Sequence, residues 1–110
     1  MCIRDRIKAG VNFREFAEKS WKLPDNCYDN HYPCIIHGVG LCDEWPLVAY
    51  PNRDFSNADY SANFEENMTI CVESYVGEVG GKEGIKLEDQ FVVTKDGLKQ
   101  LSSFPYEIDI

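Results

Sequence analysis

Met68-Thr-Ile-Cys-Val-Glu-Ser-Tyr-Val76 and Ile85-Lys-Leu-Glu-Asp-Gln-Phe-Val-Val-Thr94 flank a glycine-rich link, Gly77-Glu-Val-Gly-Gly-Lys-Glu-Gly84. The two flanks read as strands joined through that link. Gly80-Gly81 is a two-residue hairpin signal, because primed turns need positive φ and glycine supplies it without steric cost. With that pair as the turn, cross-strand partners have residue numbers that sum to 161. One face then pairs Met68 with Val93, Ile70 with Phe91, Ser74 with Leu87 and Val76 with Ile85. That face is almost wholly apolar, and a one-residue slip would turn it outward, so the register is well specified. The other face pairs Thr69 with Val92, Cys71 with Gln90, Tyr75 with Lys86 and Glu73 with Glu88.

The Glu73–Glu88 pair carries the chemistry. Directly opposed side chains have Cβ atoms about 4.5–5.5 Å apart, and like charges at that spacing are destabilising. Such a pair needs water, a shared proton or a cation. Two readings fit the hairpin alone: a solvated strand face in an acidic protein, or two ligands of a metal ion. A third ligand elsewhere in the chain decides between them.

Upstream, Cys34 to Ala49 reads Cys-Ile-Ile-His-Gly-Val-Gly-Leu-Cys-Asp-Glu-Trp-Pro-Leu-Val-Ala. A short apolar strand delivers His37 into a loop, where Gly38 and Gly40 allow close backbone approach. No helix start follows, which argues against phosphate cradling by these glycines. A histidine at a strand end followed by Asp43-Glu44 is a candidate metal or acid/base site. Trp45-Pro46 closes the loop.

Farther out, Phe13 to Lys22 predicts a helix with Asn12 as N-cap and Glu15 in a box-like position. Val11 and Phe16 take the staple positions. Phe13, Phe16, Ala17 and Trp21 share one face, expected to be core. Pro24 ends the helix. Asp25 to Pro33 is a polar loop with a helical turn, in which His31 reads as an exposed histidine. Tyr50 to Asn63 is a turn-rich surface excursion, and Glu65-Glu66-Asn67 turns into the Met68 strand. Lys95-Asp96-Gly97 is a turn signal, after which Leu98 to Leu101 returns as a short strand. Met1 to Arg6 has no usable periodicity and reads as detached from residues 7–110, either as non-family residues not native to the gene or as a frayed terminus.

The 110 residues allow at most one domain, with 44% hydrophobic residues and a net charge of −8. This composition suits a globular protein that meets cations, not nucleic acid or an anionic membrane. No apolar run reaches bilayer length, and no signal-peptide core is present. Five cysteines without metal-type or redox-type spacing predict free thiols and a cytoplasmic setting.

His-Gly-Val-Gly-Leu-Cys-Asp-Glu-Trp-Pro (37–46), Val-Glu-Ser-Tyr (72–75) and Lys-Leu-Glu-Asp-Gln (86–90) together resemble the creatinase, prolidase and aminopeptidase P family. The resemblance covers nearly the whole chain from Ile7. It implies an α+β fold: the C-terminal part of a "pita-bread" catalytic domain, with a curved, mainly antiparallel sheet and a packed helix. In that family two divalent metal ions (Fe, Mn, Zn or Co) are held by two aspartates, one histidine and two glutamates. His37, Glu73 and Glu88 match the histidine and glutamate positions. The two aspartates come from earlier strands in the family, and no Asp-x-Gly strand lies upstream of Phe13, so the chain is expected to be a fragment that is inactive alone. Peptidases of the family carry a second histidine where Asp43-Glu44 stands, which weighs against peptide hydrolysis.

The Asp-Glu-Trp-Pro variant is most similar to the branch of dimethylsulfoniopropionate lyases. There the family histidine follows a tyrosine by five residues and precedes a catalytic aspartate by six; Tyr32 and Asp43 match those offsets. The resemblance implies catalytic roles for Asp43 and Tyr32. Trp45 offers an aromatic face to a sulfonium cation. The expected partner is a small zwitterion or a short peptide, and the full-length protein is expected to be a homodimer. An aminopeptidase- or dipeptidase-type metallopeptidase and a non-catalytic binding domain of the same fold are the alternatives.

Overall fold

The computed structural model describes residues 3–42, 44–51 and 61–106. Five antiparallel strands form one sheet: β1 (Cys34–Gly38), β2 (Leu47–Ala49), β3 (Thr69–Gly77), β4 (Gly84–Val93) and β5 (Leu98–Gln100). Their spatial order is β2-β1-β3-β4-β5. Among the described residues one α-helix, α1 (Phe13–Glu18), packs on the sheet, and 3₁₀ turns occupy Ile3–Arg6 and Asp25–Cys27. The fold is the expected α+β arrangement.

The β3–β4 ladder has the register expected from the sequence, from Thr69↔Val92 through Glu73↔Glu88 to Gly77↔Gly84. The turn itself is longer than the two-residue form. Pairing stops at Gly77↔Gly84, and Gly81 N–H bonds Glu78 O at 2.9 Å within the link. Only Gly80 of the pair has positive φ, +79°. The link is also drawn sideways, since Val79 N–H donates to Asn26 O at 3.0 Å. Register survived because the apolar face sets it, independently of turn type.

That apolar face is covered at one end only. Ile70, Phe91 and Val93 are buried in a core with Ile7, Phe13, Phe16, Ile36, Val48 and Phe64. Phe64 anchors this core, meeting Phe13 and Phe16 edge-on at centroid distances of 4.6 and 5.6 Å. Toward the turn, Ile85 is 61% and Leu87 49% exposed. Val72, farther along β3, is partly buried, and its partner Asp89 is buried on the same face. Asp89 accepts hydrogen bonds from Ser102 Oγ and Tyr106 Oη, both at 2.7 Å. These bonds fasten the segment after β5 across β4.

Asn12 caps α1 as expected, accepting from the N–H groups of Arg14 and Glu15 at 3.0 and 3.3 Å. Its amide also donates to Ala62 O at 3.2 Å, which ties the helix start to residues 62–64. Glu15 pairs with Lys19 at 2.5 Å. The helix is shorter than expected and ends before Lys19. Ser20 explains this: its hydroxyl bonds Phe16 O at 2.8 Å and its N–H tightens onto Ala17 O, a local competition that disfavours continued helix. Trp21 consequently leaves the apolar face and is 41% exposed, correcting its expected core position. Tyr50, read as the start of a surface excursion, is instead 4% exposed within the core. Residues 52–60 of that excursion lie outside the described residues. The turns at residues 65–67 and 94–97 form as expected.

Two positions on one strand face should respond differently to truncation. Ile70→Ala removes a fully buried side chain and should cost about 2–4 kcal/mol. Leu87→Ala, on the same face but half exposed, should cost under about 1 kcal/mol. Urea unfolding of the two variants checks this, and equal losses would mean that the turn end is covered in solution.

Candidate metal centre

The three central strands bring the candidate ligands to one face. His37 of β1 sits opposite Cys71 of β3, which sits opposite Gln90 of β4. One pleat along, Glu73 opposes Glu88. Because side chains alternate with period two, Cys71 and Glu73 share the face of Glu88. β1 is buried along its whole length, so His37 is delivered to this face from a strand with little access to water.

His37 Nε2 lies 3.5 Å from Glu73 Oε1 and 3.3 Å from Glu88 Oε1. On the other side of the ring, Nδ1 lies 3.0 Å from Gly38 O. A carbonyl oxygen only accepts, so Nδ1 carries a hydrogen and Nε2 is the atom turned to the carboxylates. Glu73 is 2% exposed. The outer oxygens of both carboxylates meet one ammonium: Lys86 Nζ is 2.7 Å from Glu73 Oε2 and 3.1 Å from Glu88 Oε2. Glu73 Oε2 makes no aligned hydrogen bond, so this contact is an ion pair held by charge. Each glutamate thus turns one oxygen to His37 and the other to Lys86.

Two thiols complete the inner wall. Cys34 Sγ donates to Glu73 Oε1 at 3.3 Å. Cys71 Sγ lies within 4.8 Å of a Glu88 carboxylate oxygen. Burial pushes both thiols up, reinforced by those carboxylates, Cys71 to about 12. Burial also pushes Glu88 up, but hydrogen bonds from Cys71 and Lys86, the Lys86 charge and His37 outweigh it, and Glu88 ends below its ordinary value. Facing another carboxylate does not raise Glu88, because Cys71, Lys86 and His37 together stabilise its charged form. Lys86 itself is raised by its ion pair with Glu73 and, against burial, by Glu88.

Tyr32 reaches the cluster from its edge. Lys86 Nζ sits 4.4 Å from its ring centroid, and its hydroxyl donates to Glu44 Oε1 at 3.2 Å. Burial, that hydrogen bond and the charge of Glu73 raise its pKa. Trp45 is 53% exposed in the β1–β2 loop. Gly38 pins this loop: a Cβ there would lie 2.1 Å from Trp45 O, so any side chain would push the loop away. Asp43 lies outside the described residues. His31, read as an exposed loop histidine, is instead half-buried. Its Nδ1 faces Tyr28 O at 2.5 Å, and its ring meets Tyr50 edge-on at 5.5 Å.

Sequence reading missed three members of the cluster. Lys86 was placed opposite Tyr75, and a diagonal neighbour of Glu73 is within reach of a long side chain, so its role could have been found. Cys71 was likewise on the right face. Cys34 carried no signal, because the β-bulge between Cys34 and Ile36 sets where its side chain points. Cys27, Cys34, Cys42 and Cys71 are free thiols, as expected, and Cys2 lies outside the described residues.

The donor set fits a divalent cation. Nε2 and two carboxylate oxygens converge within hydrogen-bond range, and only a proton or a metal ion reconciles them. Imidazole and carboxylate together suit Fe, Mn, Zn and Co. In chelator-treated protein Lys86→Met should cost about 1–3 kcal/mol, below the range for fully buried pairs because Lys86 is 40% exposed. Added Mn²⁺ or Zn²⁺ should recover part of that loss in thermal melts; no recovery would show that the carboxylates do not meet a metal.

Acid should destabilise the protein through two depressed carboxylates. Burial raises Asp89, but its bonds from Ser102, Tyr106 and Gln100 prevail and its pKa falls below the ordinary value, as Glu88 does. Such groups stabilise the fold above their unfolded pKa, and that stability is lost as pH falls through the folded values. Melting temperature should therefore drop with acidification, and Asp89→Asn should flatten the drop in a calorimetric pH series.

Comparison with known proteins gives this geometry a family. The profile of metallopeptidase family M24 matches residues 1–95. The dimethylsulfoniopropionate lyase DddP of Roseovarius nubinhibens is 45% identical over 103 residues, covering 94% of this chain and 23% of that protein. The Xaa-Pro dipeptidase of Pyrococcus horikoshii is 32% identical over 84 residues, 74% of this chain and 20% of that protein. The prolidase of Pyrococcus furiosus superposes with a TM-score of 0.68 at 22% identity, over 94% of this chain and 29% of that one. The chain thus spans about a quarter of the length of the curated relatives it matches. Among the described residues no helix is long and apolar enough to cross a membrane. With a pita-bread sheet, a family profile over most of its length and divalent-metal use that goes with that family, the chain belongs to metallopeptidase family M24.

Proposed function

We propose that the chain supplies the histidine and glutamate part of a dinuclear metal centre, and that the enzyme it serves is a lyase cleaving dimethylsulfoniopropionate to dimethyl sulfide and acrylate. The convergence of His37 Nε2 with Glu73 and Glu88 Oε1 carries the metal-centre reading. The lyase reading is supported by the 45% identity to DddP and by Asp43-Glu44 standing where peptidases have a histidine. Contact of Tyr32 with the cluster through Lys86 supports it further.

When bound, a divalent ion supplies Lewis-acid chemistry, acidifying the C–H next to a coordinated carboxylate. His37, Glu73 and Glu88 hold it, and Lys86 keeps the outer glutamate oxygens in place. Asp43 is the base that takes the proton from the carbon beside the substrate carboxylate. The freed electron pair forms the carbon–carbon double bond as the C–S bond breaks, and its electrons leave with sulfur as dimethyl sulfide. Tyr32 holds its proton more firmly than an ordinary tyrosine and so orients the substrate as a donor. Trp45, half exposed, receives the sulfonium on its ring face.

An Xaa-Pro dipeptidase-type activity is the second reading, favoured by the similarity to the Pyrococcus horikoshii dipeptidase. A protein carrying this chain together with the family's aspartate-bearing segment separates the two. It should release dimethyl sulfide into the gas phase and leave Xaa-Pro peptides intact; the opposite pattern would replace the lyase reading with the peptidase. Stoichiometric metal in that protein argues against a merely binding domain. Asp43→Asn there should keep its metal and lose roughly 10²–10⁴-fold in lyase turnover. The 110-residue chain alone should show no turnover, bind Mn²⁺ or Zn²⁺ weakly, and melt only modestly higher in their presence.

A further inference from the structure

We infer that Cys71 is a metal ligand of this centre, which makes the site selective for thiophilic divalent ions such as Zn²⁺, Fe²⁺ and Co²⁺ over Mn²⁺ and Mg²⁺; this rests on the metal-centre reading above. His37, Cys71 and Glu88 each place one ligand atom within 4.8 Å of the other two. Zinc bonded to nitrogen at about 2.0 Å and sulfur at about 2.3 Å needs tetrahedral edges of roughly 3.4–3.6 Å. His37 Nε2 and Glu88 Oε1 already stand 3.3 Å apart, so it is the thiol that has to close, by about 1 Å at most, which side-chain rotation supplies. Glu73 Oε1, 3.5 Å from the same Nε2, is a fourth donor, giving an N, S, O, O set.

The fold holds the thiol there. Cys71 lies between His37 on β1 and Gln90 on β4, in the middle strand of the sheet. It is 2% exposed. Cys34 differs: its contact is with Glu73, and it stands outside the compact trio. On binding, the S–H bond is exchanged for a sulfur–metal bond and the proton leaves to solvent. Soft sulfur then ranks the metals, since carboxylate and imidazole alone accept Mn²⁺ readily while a thiolate favours zinc and iron.

Cobalt(II) titration of the 110-residue chain tests this, with binding followed by calorimetry and ligation by the near-ultraviolet sulfur-to-cobalt charge-transfer absorption. The wild type should show that absorption, Cys34→Ser should keep it, and Cys71→Ser should lose it while still binding Mn²⁺. Cobalt bound without the absorption, or an absorption that survives in Cys71→Ser, would overturn the role of Cys71 and leave the metal-centre reading standing. No cobalt bound at all would overturn both. Should Cys71→Ser fail to fold, the wild type loaded with cadmium-113 answers alone: scalar coupling to the Cys71 Hβ protons is expected, and its absence overturns the inference.

Discussion

Two carboxylates face one another across the middle of the sheet, and the surroundings of Glu73 and Glu88 are arranged to make that tolerable. Glu73 is buried, and a buried carboxylate without compensation is expensive. Compensation comes from four directions: an imidazole from β1, an ammonium two residues before Glu88, and a thiol beside each glutamate. Each comes from a central strand or its edge. A change of register anywhere in β1, β3 or β4 would separate donors from acceptors and leave the charges opposed.

The two faces of the hairpin divide the work. One face packs against Phe64 and α1 and supplies most of the core. The other carries polar and ionisable groups, of which Cys71 and Glu73 are buried together with His37 of β1, an arrangement that a single hairpin could not support. The sheet supports it because β1 covers one flank of β3 and is itself apolar, Ile35 and Ile36 being fully buried. Core and site are therefore coupled through the backbone of β3: residues that alternate along it belong to stability and to chemistry in turn.

The same coupling explains why the loop after His37 is short of freedom. Gly38 ends β1 against the backbone of Trp45, and its N–H donates to Pro46 O at 2.6 Å. The histidine's own Nδ1 is spent on the carbonyl of that glycine. One glycine thus sets the loop path and the ring orientation together, an arrangement in which the residues around a ligand decide which nitrogen it presents.

By itself the sequence determined the β3–β4 register, the face on which Glu73 and Glu88 meet, the N-cap at Asn12 and the family. Those features follow from period-two alternation and from short motifs, which are local and survive without knowledge of distant neighbours. The approach of His37 to the same pair came from the family resemblance and not from spacing. Only the tertiary structure decided the length of the hairpin link, drawn out by Asn26, and the early end of α1 at Ser20. It alone placed Tyr50 and His31 inside, and it alone made Lys86 the shared counter-ion of both glutamates. It also put Cys34 beside Glu73, across a bulge that no pattern in the sequence announces. These outcomes depend on which groups from far along the chain satisfy a hydrogen bond or a charge, and that is settled by packing, where long-range contacts override local preference.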